Sequence, residues 1–403
     1  MEKFQDPELV SSDPNIPKLD NTNERICSVY EVENRVLGNR FFLFLFWGRI
    51  AITMFIRQIL RLALSIGICL DLSIANPLDV RELGLQVERR ADTGLVGYLG
   101  AIFLGADPYV YFYLSNGNDP LSFKALNKGQ PILRPTKGTG GVRDPYLVQG
   151  GGNEAGRKWY IIGTDLDIGK TSWDAAQRTG SRGIFVWDST DLVNFGNERL
   201  VNVEDSTAGM VWAPEAIWDA SKGQYLVHWA SKFYPASDSK HTGSPSNIRI
   251  RYAYTSDFKT FTQPQTYIDY APTNIIDLDI LPLDTEGKNY LRFMKDETAK
   301  TVFLEYSTAG LFGSWTRAGG SKGTITSGVE GPAAYRDNKD DAKVHVLLDF
   351  YGGDGYRPYE STDPKGNIWT ASSRSGFPSN LRHGSILPIN QTLYDALSKK
   401  FGS

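Results

Sequence analysis

A short motif returns five times between residues 115 and 369 of this 403-residue chain. A strand-like run ends in Ser or Thr, a turn follows, and Phe or Trp closes the unit. The copies are SNGNDPLSF (115–123), DSTDLVNF (188–195), YTSDFKTF (254–261), STAGLFGSW (307–315) and ESTDPKGNIW (360–369). They close on Phe123, Phe195, Phe261, Trp315 and Trp369. Self-similarity at a long period marks units that bury their apolar faces against their neighbours. Strand pairs such as KWYIIGTD with RGIFVWDS precede the copies, and no helical stripe intervenes, so each unit reads as a four-stranded blade. The prediction is an all-β chain whose repeats form one five-bladed β-propeller. A long β-sandwich is the alternative, and it leaves the regular aromatic unexplained.

Forty glycines and 20 prolines suit the many tight turns such a fold needs. The formal charge of −3 gives no basic stripe for nucleic acid. Cys27 and Cys69 both precede the repeats, which excludes a disulfide framework or a cysteine zinc site within them. Four histidines argue against a multi-histidine metal centre.

The first ninety residues read differently. Residues 1–53 look like an upstream extension, disordered or absent from the natural protein. Arg49, Arg57 and Arg61 interrupt the apolar stretch that starts at Phe41, leaving no uncharged run of about 18–20 residues to span a membrane. Residues 54–75 fit a signal peptide, with Arg57 and Arg61 as its basic part and Leu62 to Ala75 as its apolar part. Residues 76–90 form a pro-segment ending at the dibasic Arg89-Arg90, a fungal-type processing pair. The mature domain is then 91–403, secreted to the extracellular space. A signal-anchor helix retained in the membrane is the alternative.

In a propeller the innermost strands converge on one channel. The blade starts are VGYLGAIF (96–103), VRDPYLV (142–148), WAPEAIW (212–218), IIDLDILPL (275–283) and EGPAAYR (330–336), and four of them carry carboxylates. An unpaired buried carboxylate is costly, so its presence there asks for a use. Glycosidic cleavage is such a use: one carboxyl donates a proton to the leaving oxygen and another activates water.

The ordered set RDP, WAPE, IID and EGP resembles glycoside hydrolase family 43, most closely its branch of exo-acting α-L-arabinofuranosidases. The segments HWASKFYP and RHGSILP are similar to that branch too, and the resemblance runs from about Gly97 to Leu397. It implies a single catalytic domain with Asp144 as general base, Asp277 as the residue that tunes and orients the acid, and Glu330 as general acid. Like-charge repulsion from Asp277 would help Glu330 hold its proton. The family inverts the anomeric centre, so base and acid should stand about 6.5–9.5 Å apart.

Alternatives stay open at each position. Asp144 precedes a proline and could serve a turn. Asp279 rivals Asp277 from the same strand face. Trp212 would offer the sugar an aromatic wall. Arg292 would hydrogen-bond a sugar hydroxyl or serve a structural ion pair. His383 would lie near the channel axis beside a calcium ion or a water in its place, or be purely structural. Asp107 and Asp119, each before a proline, are set aside as decoys, and Asn390-Gln391-Thr392 is a glycosylation sequon.

The expected function is inverting exo-hydrolysis of terminal α-L-arabinofuranose from plant cell-wall arabinan or arabinoxylan. A monomer needing no organic cofactor would perform it. β-Xylosidase or endo-arabinanase action on the same scaffold is the nearest alternative. A non-catalytic carbohydrate-binding propeller and a protein-interaction propeller are the others.

Overall fold

The computed structural model describes residues 94–105 and 107–402. The expectations for residues 1–53, 54–75 and 76–90 lie outside them.

Blade one contains Leu95–Leu104 (β1), Asp107–Ser115 (β2) and Phe123–Ala125 (β3). Blade two contains Val142–Gln149 (β4), Trp159–Asp165 (β5), Gly183–Ser189 (β6) and Gly196–Asn202 (β7), with a short helix Trp173–Arg178 (α1) inserted after β5. Blade three is Trp212–Asp219 (β8), Gln224–Ser231 (β9), Arg249–Thr255 (β10) and Gln265–Ile268 (β11). Blade four is Ile275–Pro282 (β12), Tyr290–Asp296 (β13), Thr301–Ser307 (β14) and Thr316–Arg317 (β15), and Thr326–Ser327 (β16) adds a second partner to β14. Blade five is Glu330–Arg336 (β17), Val344–Phe350 (β18), Gly355–Asp363 (β19) and Ile368–Ala371 (β20). Leu381–Asn390 (β21) and the helix Gln391–Phe401 (α2) end the fold. All strand neighbours run antiparallel, and the five sheets form the predicted propeller.

Blade one corrects the sequence reading. VGYLGAIF does not line the channel: its sheet runs β21-β1-β2-β3, so the innermost strand comes from the far end of the chain. β21 pairs with β1 from Leu95↔Asn390 to Leu104↔Leu381 and closes the ring without a covalent link. Both faces of β1 are buried, so its continuous apolar run cannot report which strand lies inside it.

Five apolar clusters fill the spaces between adjacent blades, and each holds one of the repeated aromatics. Phe195 packs against the cluster between blades one and two, Phe261 against the next, then Trp315, Trp369 and finally Phe123 between blades five and one. The repeat therefore marks the entry to each outermost strand, where a large ring seals an inter-blade core. Leu397 of α2 is buried in the cluster between blades one and two. The exposed sequon residue Asn390 caps α2 by accepting from the Leu393 amide at 3.1 Å. No helix among the described residues is long and apolar enough to cross a membrane.

One local device repeats at the start of four innermost strands. Pairing with the second strand slips between Arg143 and Tyr146, Trp212 and Glu215, Ile276 and Asp279, and Glu330 and Ala333. Inside each slip one residue adopts a left-handed backbone: Asp144 (φ 51°), Ala213 (47°), Asp277 (54°) and Gly331 (53°). Bulges of this kind re-aim side chains beside functional sites.

Candidate active site

The strand segments on the entry side of these bulges line a cleft of about 500 Å³, within the roughly 300–1,000 Å³ of small-ligand sites. Its walls include Arg143 and Asp144, Trp212, Asp277, Glu330, and Arg382 with His383 at the start of β21. All five blades thus contribute, and Asp144, Asp277, Glu330, Trp212 and His383 meet as the sequence reading expects. A larger cavity of about 710 Å³ opens at the other end of the same strands, beyond Tyr146 and Asp279, and holds none of the three motif carboxylates. Asp144 and Asp277 sit at positive φ, which costs a non-glycine residue on the order of 1–3 kcal/mol. That strain is tolerated where the surroundings fix the side chain.

His383 provides much of that fixing. Its Nδ1 stands 3.4 Å from Asp144 Oδ1 and 4.0 Å from Asp277 Oδ1, and its Nε2 stands 3.7 Å from Glu215 Oε1. Burial works against a charged imidazole, but the surrounding carboxylates of Asp144, Glu215 and Asp277 outweigh it and push His383 well above its ordinary value. Asp144 also accepts from the Thr164 hydroxyl at 2.8 Å. Burial would raise Asp144, yet His383, Arg143 and Thr164 together hold it below the usual carboxylate value, so it is ionised. The imidazole itself occupies the centre of these carboxylates. Among the described residues no group of three or more His, Cys, Asp or Glu is arranged to hold a metal ion.

On the other side of the cleft, Glu330 is bracketed by cations. Lys295 Nζ lies 2.7 Å from its Oε2 and Arg382 3.4 Å from its Oε1. Lys295 is buried and also meets Glu297 at 2.5 Å. Burial would lower the Lys295 ammonium, but Glu330 and Asp277 drive it up, so it stays charged. Arg382 is held by Asp349, whose oxygens accept from Nε at 2.7 and 2.9 Å. Asp277 accepts from the Gly331 amide at 3.0 Å. It is pushed up to about 6 chiefly by burial, with His383 opposing and the charge of Glu330 adding. The charge of Glu330 is therefore felt at Asp277.

The family described as a probable glycosyl hydrolase domain, related to family 43, matches residues 94–395. The chain belongs to this family. An α-L-arabinofuranosidase of Bifidobacterium longum subsp. longum is 34% identical over 256 aligned residues, which cover 56% of this chain and 23% of that protein. The chain therefore spans less than a quarter of that relative's length. Among solved structures, the catalytic domain of the Coprinopsis cinerea GH62 α-L-arabinofuranosidase is 14% identical with a TM-score of 0.42, covering 64% of this chain and 77% of that one. A thermostable family-43 glycoside hydrolase is 16% identical with a TM-score of 0.40, covering 61% and 76%.

One expectation for this glycosyl hydrolase domain needs amending. Arg292 is not on the cleft. It pairs across β12 with Ile280, three positions deeper than Asp277, and forms a buried ion pair with Glu305 beneath Trp315. Its structural alternative is the one the fold uses. Lys295 fills the cleft position instead: it pairs with Ile276, next to Asp277, and lies three residues on, so it takes the opposite face of β13. Asp107 and Asp119 stay off the cleft wall, Asp107 accepting from the Tyr111 hydroxyl and Asp119 from the Leu121 amide.

Sequence reasoning also passed over Arg382, Glu215 and Trp173, although RHGS, WAPE and TSWDAAQR contain them. Trp173 on α1 meets Trp212 edge to face, with centroids 6.0 Å apart. Motif matching assigns roles to the residues a family names, and neighbours that take a role through packing carry no separate signal.

Proposed function

We propose that this domain is an inverting exo-glycosidase that releases terminal α-L-arabinofuranose from arabinan or arabinose-substituted xylan. The observation carrying the reading is that an ionised, His383-held Asp144 and Glu330 share one cleft with Asp277, which feels the charge of both. Asp144 takes the proton of the attacking water. Glu330 gives a proton to the departing glycosidic oxygen. Asp277, fixed by the Gly331 amide, orients and electrostatically tunes Glu330. Trp212 offers the sugar a flat apolar wall. Arabinofuranose as the sugar is supported by the named relative, and a secreted location by the signal-like segment at residues 54–75.

The test is sugar release by the purified full chain from linear arabinan, arabinoxylan and the matching nitrophenyl glycosides, beside Glu330→Ala. Arabinose release that collapses in the variant is the expected result. Xylose in its place would move the specificity to a β-xylosidase, and no release of either sugar by folded protein would sink the enzymatic reading. Proton NMR of the first-formed sugar reads the anomer, and retention would remove Asp144 from the role of base.

A further inference from the structure

Large apolar side chains left in water mark surfaces with a use. Five are prominent among the described residues: Trp173, Tyr270, Phe312, Tyr351 and Ile368. Only Trp173 and Tyr351 line the cleft, from blades two and five. Trp173 belongs to the side of the base, with the Arg143 guanidinium 5.3 Å from its ring and Trp212 against its edge. Tyr351 belongs to the side of the acid. Its ring centroid lies 4.6 Å from Lys295 Nζ, the cation that touches Glu330. Glu330 pairs with Asp349 on β18, and Tyr351 stands in the turn just past the end of that strand, on the cleft wall. The turn carrying it is anchored by Asp354, which pairs with Arg357 at 3.0 Å and Arg374 at 2.7 Å.

The chemistry then gives Tyr351 a task. In an inverting reaction the acid must reach the glycosidic oxygen of the leaving group, while the water and base work from the opposite face of the cleaved sugar. The sugar that departs must therefore sit beside Glu330, on the side where Tyr351 is 39% exposed. We infer that Tyr351 is the platform for the leaving-group sugar, stacking on its C–H face and so favouring oligosaccharide and polymer substrates over glycosides of simple alcohols. This deepens the proposed function and rests on Glu330 being the acid.

Two substrates separate the platform from the acid. Methyl α-L-arabinofuranoside needs protonation of its leaving oxygen but has no leaving-group ring, whereas α-1,5-linked arabinotriose has both. In the full-length enzyme, Tyr351→Ala should lower kcat/KM on arabinotriose by about five- to ten-fold, the size of one aromatic stacking contact, and leave the methyl glycoside within about two-fold. Tyr351→Phe keeps the ring and should match wild type on both. Equal loss on the two substrates in Tyr351→Ala would mean that the side chain serves Lys295 and Glu330 instead, and loss on neither would mean that no sugar stacks there. Either result overturns the platform alone. A wild-type enzyme that cleaves neither arabinoside overturns the parent reading, and this one with it.

Discussion

Two layers of acidic side chains stand on the same inner strands, one on each side of the bulges, and they differ in the cations around them. Asp144, Asp277 and Glu330 face the cleft with Arg143, Lys295, Arg382 and His383 among them. Glu215 and Asp279 lie beyond the bulges, buried, with His383 as their nearby cation. Burial pushes Glu215 well above its ordinary value, and the charge of Asp279 adds to that. Burial likewise pushes Asp279 up to about 7, against the Ala334 amide and His383. Asp144, with His383, Arg143 and the Thr164 hydroxyl around it, is instead held below its ordinary value and is ionised. Neighbouring acids driven apart in this way are how one fold supplies both ionised and neutral carboxyls at one pH.

The comparison breaks first, and by the largest margin, on activity. Asp144→Asn removes the ionised partner from the cleft layer and should lower kcat by about 10³-fold, the middle of the range for a lost acid or base. Glu215→Gln keeps the shape of a side chain that lies outside the cleft wall and should stay within about ten-fold of wild type. Steady-state kinetics on a nitrophenyl arabinoside, with circular dichroism to confirm folding, reads both. Comparable losses would place the deeper layer in the chemistry and erase the distinction.

A smaller effect sharpens it through stability. Asp279 holds its proton more tightly folded than unfolded, its value rising from 3.8 to about 7. Its stabilising contribution is complete below pH 4 and is lost as pH climbs to about 7. That contribution is on the order of 4 kcal/mol, so the melting temperature should fall across this window. Asp277 and Asp349, each raised to about 6, act in the same direction. Asp279→Asn cannot release a proton, so its melting curve should depend less steeply on pH between 4 and 7. An unchanged slope in the variant would mean that Asp279 is ionised in the folded protein.

These contrasts also show what the sequence could and could not carry. The five closing aromatics and the RDP, IID and EGP segments were legible because each is local: a turn with a ring, or a carboxylate inside a short motif. The exchange of β1 for β21 in blade one was not, since it pairs residues nearly 300 positions apart through backbone hydrogen bonds that leave no compositional trace. Arg292 and Lys295 share one strand, and only the register against β12 reveals that Lys295 is level with the cleft and Arg292 is below it. The cations around Glu330 were hidden for the same reason, because they arrive from β13 and β21.

The smallest expected effect concerns the bulge itself, which puts Ala213 in blade three and Gly331 in blade five at the same left-handed position. At Gly331 the requirement is twofold: a Cβ there would be strained and would also stand 2.6 Å from His383 Cγ. Gly331→Ala should displace the imidazole and reduce activity together with stability. Ala213 already bears a Cβ at φ 47°, and its amide donates to the Thr164 hydroxyl that holds Asp144, a contact glycine would keep. Relief of that strain outweighs the extra freedom glycine gains in the unfolded chain, so Ala213→Gly should stabilise the protein by about 0.5–1 kcal/mol with kcat unchanged. Thermal melting of the two variants side by side measures how much of the bulge's cost belongs to the backbone and how much to the histidine above it. A destabilised Ala213→Gly would show that the methyl group's packing, with Ala213 buried at the blade entry, is worth more than the strain it carries.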